Sequence, residues 1–389
     1  MKLTPRIQAF HDDMTAWRRD LHRHPELGFE EVRTSGIVAE KLASWGIEVH
    51  RGIATTGVVG VLDGKLGPGP SIGLRADMDA LPMEEENDFE HRSTIAGKFH
   101  GCGHDGHTTM LLGAARYLAE TRNFAGRVVF IFQPAEEGLA GGRVMVEEGL
   151  FERFPVDQVY GMHNWPDVEI GRIAVRSGPI MAASDFLDIE VHGVGAHAAM
   201  PNKGIDPILV ASHLVTALQS LVSRQTDPVD SAVLSITKVE AGSAYNVIPA
   251  TATLRGTCRT FRPETRDAME LGIERVAQGV AQAFGAKVQV DFRRNYPPTV
   301  NEPGATRIAE RIAGAVVGDE NVVRDAQPSL GGEDFAFFLE QRPGCYVWLG
   351  QGGGPLSCSV HHPRYDFNDE VLPIGASWFA TLVEQELRG

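Results

Sequence analysis

Between residues 57 and 163 the chain repeats one pattern: a short, almost wholly apolar run that ends in residues able to do chemistry. VVGVL is followed by SIGLRAD, which ends on Asp77 with Asp79 just beyond; RVVFIFQ leads into PAEEG; DQVYGMH closes on His163. Helical periodicity covers about 105–121 between two of these runs, and amphipathic helices near 5–23 and 30–46 precede them. Apolar runs of strand length alternating with helices predict an α/β fold, a largely parallel sheet flanked by helices. Open sheets of this kind bind ligands just beyond the carboxyl ends of their strands, where Asp77, Asp79, Glu136, Glu137 and His163 are expected.

From about 184 the pattern changes. DFLDIEVHG, a helix over 206–224, SAVLSITKVE, ATATLRGTCRTF, a helix over 264–284 and AKVQVDFRR read as βαββαβ, a ferredoxin-like unit. A helix at 305–317 and the apolar run CYVWLG then return to the first pattern. A length of 389 residues also exceeds one compact core. The expected organisation is a discontinuous catalytic domain, 1–183 and 298–389, carrying an inserted domain at 184–297. The glycine-rich patch at 350–354 reads as an ordinary active-site loop, and no short-period repeat is present.

Hydrophobic residues at 43% and charged residues at 22% are those of a globular chain. A formal charge of −15 without a polybasic run argues against nucleic acid as a partner. No apolar stretch approaches a membrane span or a secretory leader, so the chain reads as cytoplasmic, with no membrane partner. Four cysteines are too few for a disulfide scaffold. Cys258 and Cys345 sit in apolar strand-like runs where a buried thiol is ordinary, Cys358 is close to His361, and Cys102 stands between two glycines.

Cys102 and His104, in CGHDGH, are separated by one glycine, and Asp105 is placed to cap the helix that follows. A C-x-H pair alone is weak. Glycines on both sides, however, let backbone come close to an ion, and a metal holds such a thiol as thiolate. Glu136 and Glu137 have two readings: first-turn residues favoured by a helix dipole, or one ligand beside one proton carrier. His163 ends a strand-like run, and His361 precedes His362 and Pro363 in a loop. Thiolate, imidazole and carboxylate together suit zinc, manganese, cobalt or nickel, whereas calcium and magnesium want oxygens. His22, His24, His50 and His91 have no such company, and surface or capping roles are expected of them. In the inserted domain His197 follows a glycine turn and Asn246 lies in YNVIP. Arg259 in GTCR can hold a carboxylate bidentately or make a strand-surface ion pair.

As an ordered set, LRADMDALPM, HGCGHDGH, PAEEG, HGVGAHAAMP, YNVIP, GGEDFAFF and HHPRYDFND resemble the M20 metallopeptidase family, and within it the amidohydrolase branch. That branch contains hippurate hydrolases, N-acyl-amino-acid amidohydrolases and auxin-conjugate hydrolases; the likeness runs from about residue 17 to 370. The resemblance implies two divalent metal ions (manganese, zinc, cobalt or nickel) held by Cys102, His104, Glu137, His163 and His361, with Cys102 bridging and Glu136 as general base. It implies that His197 stabilises the oxyanion, that Asn246 and Arg259 engage the substrate carboxylate, and that the inserted domain is a lid through which a homodimer can form. The wider family has histidine where this chain has Asp77 and aspartate where it has Cys102. Asp77 therefore leaves the ligand set, and Asp79 is expected to orient a ligand from behind.

The implied reaction is hydrolysis of the amide of an N-acyl amino acid, a small-molecule substrate, with hippurate (to benzoate and glycine) as leading substrate. An N-acetyl-diamino acid deacetylase would use the same centre. A catalytically silent metabolite-binding protein of the same fold is a reading from another class, and a structural zinc site is disfavoured by the carboxylate base beside the ligands.

Overall fold

A computed structural model describes residues 1–352 and 358–388, so Gly353 and Gly354 of the glycine-rich patch lie outside the described residues. The chain begins with α1 (Pro5–Gln8), α2 (His11–Arg23) and α3 (Val32–Ser44), then β1 (Glu48–Ile53), β2 (Gly57–Asp63) and β3 (Ser71–Asp77). After them come α4 (His104–Thr121), β4 (Arg127–Gln133), α5 (Gly141–Glu147), α6 (Leu150–Arg153), β5 (Gln158–Glu169), β6 (Ile173–Val175) and β7 (Gly178–Met181). Next are β8 (Ala183–His192), β9 (Ala196–His197), α7 (Pro207–Ser220), β10 (Ala232–Ala241), β11 (Val247–Ile248), β12 (Thr251–Thr260), α8 (Pro263–Ala283) and β13 (Lys287–Tyr296). The chain closes with β14 (Thr299–Asn301), α9 (Pro303–Val317), β15 (Val322–Arg324), α10 (Ala336–Gln341), β16 (Gly344–Gly352) and α11 (Leu372–Glu386). Two compact units result: Met1–Ile180 with Val300–Gln327 and Asp334–Gly389, and Met181–Thr299 with Pro328–Glu333. The short return of 328–333 to the second unit has no counterpart in the sequence pattern.

In the first unit eight of the described strands form one sheet, in the order β1-β2-β4-β3-β5-β16-β6-β15. The central strands β4, β3, β5 and β16 run parallel. β1, β2 and the β16–β6 pair are antiparallel, so the sheet is mixed rather than largely parallel. The difference arises where the chain turns back at once instead of crossing over through a helix: β1 and β2 are joined by a tight turn with Ala54 and Thr55 at positive φ. β4 shows why an unbroken apolar run predicted a strand. Six of its seven residues are buried, as required when both faces of a central strand are covered. The predicted helix over 5–23 is interrupted at Ala9–Phe10, where the Phe10 N–H bonds back only to Ile7 O (2.9 Å), and Ile7 and Phe10 both enter the core.

The second unit has an antiparallel sheet in the order β10-β12-β8-β13 and a separate β11–β9 ribbon. Its chain order is β-α-β-β-α-β once the short ribbon strands are set aside. Leu187, Ile189 and Val191 of β8 point to one face and pack with Leu254, Leu214, Leu218 and Ile273, while Phe186 on the opposite face is exposed. Among the described residues no helix is long and apolar enough to cross a membrane.

Candidate metal centre

Strand register brings the chemistry to one level of the first unit's sheet. Asp77, the last residue of β3, pairs with Gln133, the last of β4; Arg75 pairs with Gly161 of β5, which sets His163 two residues further on, opposite Trp348 of β16. β5 continues to Glu169, so His163 lies within a strand rather than at its end, level with the last residues of β3 and β4. Next to it α4 begins at His104. Its N-cap is Gly103, at φ 96°, where a Cβ would come within 2.2 Å of Asn164 Oδ1 and 2.6 Å of Tyr365 Oη. Asp105 therefore does not occupy the N-cap. It lies inside the first turn and accepts from the Gly106 N–H at 3.0 Å and from His22 Nδ1 at 2.8 Å.

Glu136 and Glu137 lie in the loop between β4 and α5, which removes the helix-dipole reading. The loop is tight: Ala135, Gly138 and Ala140 have φ of 55°, 80° and 58°. An alanine in this left-handed region costs about 1 kcal/mol, so local contacts must hold it.

Cys102, His104 and His163 have ligand atoms within 4.8 Å of one another, as do Cys102, Glu137 and His361, and His104, Glu136 and Glu137. All five ligand candidates and the candidate base are thus gathered in one cluster. The hydrogen bonds fix which atoms face it. His104 Nδ1 donates to Asp79 Oδ1 (3.2 Å) and His163 Nδ1 donates to Asn164 O (2.6 Å), which leaves both Nε2 atoms turned inward; His163 Nε2 is 3.4 Å from Cys102 Sγ. Asp79 also accepts from the Glu137 N–H at 2.9 Å, so one carboxylate orients two ligand candidates. Glu137 Oε1 lies 3.9 Å from His104 Nε2 and 3.2 Å from His361 Nε2. His361, half exposed and at φ 65°, is tied to the Cys102 segment by its N–H to Gly101 O (2.7 Å).

Charge in the cluster asks for a cation. Burial pushes the Cys102 thiol well above its usual pKa, and Glu137, Glu136 and Asp77 push it further in the same direction. For His104, burial would lower the pKa, but Asp77, Asp79 and Glu137 outweigh it and raise it to about 10, the mark of a site surrounded by negative charge. Burial, with His107 adding, holds His163 well below its usual value, which favours a neutral imidazole whose Nε2 faces the Cys102 thiol. Buried His104 Nε2 makes no hydrogen bond, and buried Glu137 Oε1 makes none of good geometry, having only the approach of His361 Nε2 at 3.2 Å. Buried polar atoms so poorly satisfied, facing one point beside a thiol, are what a transition-metal site needs and a purely structural polar cluster avoids. These residues fit the implied metal ions.

Behind the ligands is a layer that the sequence pattern did not reveal. Arg75, wholly buried, donates to Gln133 Oε1 (2.8 Å), Asp77 Oδ2 (2.8 Å) and Asp334 Oδ1 (2.9 Å). Asp77 accepts from His107 Nδ1 (2.6 Å), and burial of its carboxylate is outweighed by His104, Arg75 and His107, which hold its pKa well below the usual range. His107 Nε2 meets Asn164 Oδ1 at 2.6 Å. An arginine and an aspartate inside an otherwise apolar strand, SIGLRAD, were the available signal. His22 was expected at the surface; instead it is buried, bonded to Asp105 and to Glu85 (3.3 Å), beside a buried Arg18 that reaches Asp366 (2.8 Å) and Asp369 (2.6 Å).

In the second unit β9 pairs with β11, putting His197 opposite Val247, and the Ala198 N–H donates to Asn246 O (3.0 Å), so His197 and Asn246 are neighbours and both exposed. Arg259 is half-buried in β12 opposite Ser184, and its guanidinium donates to Thr257 Oγ1 and Cys258 O. Among the described residues it makes no ion pair.

Residues 73–385 match the profile described as Peptidase family M20/M25/M40. The chain is 42% identical over 388 residues to the hippurate hydrolase of Campylobacter jejuni, covering 100% of both chains. It is 41% identical over 385 residues to IAA-amino acid hydrolase ILR1-like 4 of Arabidopsis thaliana, covering 97% of this chain and 86% of the relative. Among solved structures, the YXEP protein of Bacillus subtilis, described as a dinuclear metal binding peptidase from the M20 family, superposes with a TM-score of 0.85 at 37% identity over 98% of this chain and 99% of the other.

Proposed function

This chain belongs to peptidase family M20/M25/M40, and on that premise we propose that it hydrolyses the amide bond of N-acyl amino acids at a centre of two divalent metal ions, with hippurate as leading substrate. The observation that carries the reading is the convergence of His104 Nε2, buried without a hydrogen bond, with the Glu137 carboxylate, a thiol and two further imidazoles in one cluster next to Glu136. Relatives named for hippurate and for an IAA-amino acid support a substrate with an acyl group on an amino acid nitrogen.

Cys102, His104, Glu137, His163 and His361 hold the ions in this proposal; Asp79 and the Asn164 carbonyl keep the imidazoles turned toward them. When bound, such ions act as Lewis acids that polarise a carbonyl and acidify water. Glu136 accepts the proton of the attacking water and returns it to the leaving amine. Its position supports that role, because the Asp334 N–H donates to Glu136 Oε1 (3.4 Å) and so anchors one carboxylate oxygen. His197 meets the negative charge that develops on the carbonyl oxygen, and Arg259 with Asn246 holds the substrate carboxylate. The second unit acts as the ferredoxin-like lid and carries the homodimer contact. A ligand thiol kept reduced suits the cytoplasm.

The test is release of free glycine from hippurate, with N-acetyl amino acids and an N-acetylated diamino acid alongside, by manganese- or zinc-reconstituted protein and by Glu136→Gln. Turnover should fall by roughly 10²–10⁴-fold in the variant with bound metal unchanged. Equal turnover in the two proteins removes Glu136 as base, and the panel separates hippurate hydrolysis from deacetylation.

A further inference from the structure

The turn that presents Glu136 is held from a place the proposed mechanism does not use. Glu31, in the segment HPELGFEE just before α3, is wholly buried although it is a carboxylate. Its Oε1 accepts from the Ala135 N–H at 2.8 Å and its Oε2 accepts from Thr56 Oγ1 at 2.5 Å. Ala135 is the residue before Glu136 and is at φ 55°, a conformation alanine does not choose by itself. The same segment also packs on Ala135 from the side: a Cβ on Gly28 would lie 2.9 Å from both Ala135 Cβ and Leu139 Cδ1. On the far side of the turn the Gly141 N–H closes onto Ala135 O at 2.9 Å. Without Glu31 the Ala135 N–H would be buried with no acceptor, and the peptide could satisfy it only by rotating. Rotation about Ala135 φ moves everything attached after it, beginning with Glu136.

We propose that Glu31 is a positioning residue for Glu136: its carboxylate, anchored by Thr56, pins the left-handed Ala135 peptide and so sets where the Glu136 carboxylate stands. The inference rests on the reading of Glu136 as general base. A buried carboxylate is a costly device for holding a loop, which an apolar contact would do equally well. An acceptor is needed here because the group to be held is an N–H at a fixed orientation. Misplacement of a reacting group by about 1 Å costs on the order of 100-fold in rate, so the effect is one that kinetics can read.

The experiment compares Glu31→Ala, Glu31→Gln, Glu31→Met, Ala135→Gly and the double variant Glu31→Ala/Ala135→Gly in the metal-reconstituted protein, with Glu136→Gln as reference. Glu31→Ala should lower kcat by roughly 10- to 100-fold with KM moving less than about three-fold and bound metal retained. Glu31→Gln, whose amide oxygen can still accept from Ala135 while its NH₂ donates to Thr56, should keep most of the activity. The double variant should recover little over Glu31→Ala, since glycine relieves the strain of positive φ but keeps an N–H with no acceptor, and Glu31→Met, which fills the space without an acceptor for that N–H, should be as slow as Glu31→Ala, as a mere cavity effect would not be. Full turnover in Glu31→Ala, or turnover restored by Glu31→Met as well as by Glu31→Gln, overturns the inference. Should Glu136→Gln itself stay active, it is the base assignment that fails, whatever Glu31 does. If Glu31→Ala does not fold, hydrogen exchange at the Ala135 amide of the unaltered protein decides: protection like that of β4 amides supports the pin, and exchange as fast as in an exposed loop refutes it.

Discussion

The cluster in the first unit and the ribbon in the second carry residues of the same proposed reaction and are built in opposite ways. Around Cys102, His104, Glu137 and His163 the two imidazoles have a second partner behind them, Asp79 for His104 and the Asn164 carbonyl for His163; Asp79 also holds the Glu137 backbone N–H, and Arg75 joins Asp77 to Asp334. His197 and Asn246, by contrast, are exposed, on and next to a ribbon whose strands are two residues each, beside the exposed Tyr245 and Val247. The comparison separates two demands. Proton transfer needs atoms fixed to a fraction of an ångström, which buried polar layers at the ends of parallel strands supply. Recognition of a substrate that must enter and leave is compatible with a light ribbon of few buried contacts.

The sharpest way to break that comparison is to remove the joint of the buried layer. Arg75→Met keeps length and apolar volume but leaves Asp77 and Asp334 buried without their shared guanidinium. Breaking one side of a buried ionic network typically costs about 3–5 kcal/mol. Denaturant unfolding should show a loss of that size together with lost activity. A loss below about 1 kcal/mol would mean that the layer is not what fixes the cluster.

How far the molecule was legible follows the same division. Residues at the ends of apolar runs, and the short C-x-H and E-E motifs, pointed to the cluster because strand ends and glycine-flanked turns are local features. Strand direction was not legible: nothing in the apolar run VVGVL says that β2 lies antiparallel to β4, and so the sheet is mixed. His22 was expected at the surface because its partners, Glu85 and Asp105, are 63 and 83 residues away. One local signal was available. Met14, Arg18 and His22 recur every fourth residue along the buried face of α2, with Leu21 next to them, so a charged pair shared the helix's apolar stripe. The convergence of the His104 nitrogen with the Glu137 carboxylate and the pinning of Ala135 depend on tertiary approach and leave no trace in spacing.

The buried His22 sharpens the comparison through pH. Burial would lower its pKa, but hydrogen bonds to Asp105 and Glu85 outweigh that and raise it to about 9, above the ordinary 6.5. A group whose folded pKa is raised stabilises fully below its unfolded value and loses that contribution as pH climbs through the folded one. Stability of the protein should therefore decline between about pH 6.5 and 9, by an amount on the order of 3 kcal/mol at most. His22→Gln should flatten that slope while being less stable at about pH 6. Parallel pH profiles for the two proteins would sink the idea that this histidine is held as a cation.

The ribbon side of the comparison makes the smallest demand on the fold and a distinct one on kinetics. His197→Ala removes an exposed side chain whose one hydrogen bond among the described residues is local, from the Ala199 N–H at 3.1 Å, so stability should change by no more than about 0.5 kcal/mol. If it donates to the developing oxyanion, kcat should nevertheless fall about 100-fold with little change in KM. Arg259→Ala should do the reverse. In its proposed role Arg259 gives the substrate carboxylate a charged hydrogen bond before and during the reaction, so its loss should raise KM by roughly 10- to 100-fold and leave kcat nearly alone. The two variants thus divide one unit into a group felt in the transition state and a group felt throughout. Were His197→Ala to raise KM alone, the second unit would be an instrument of binding only, and all the transition-state work would fall to the buried cluster of the first.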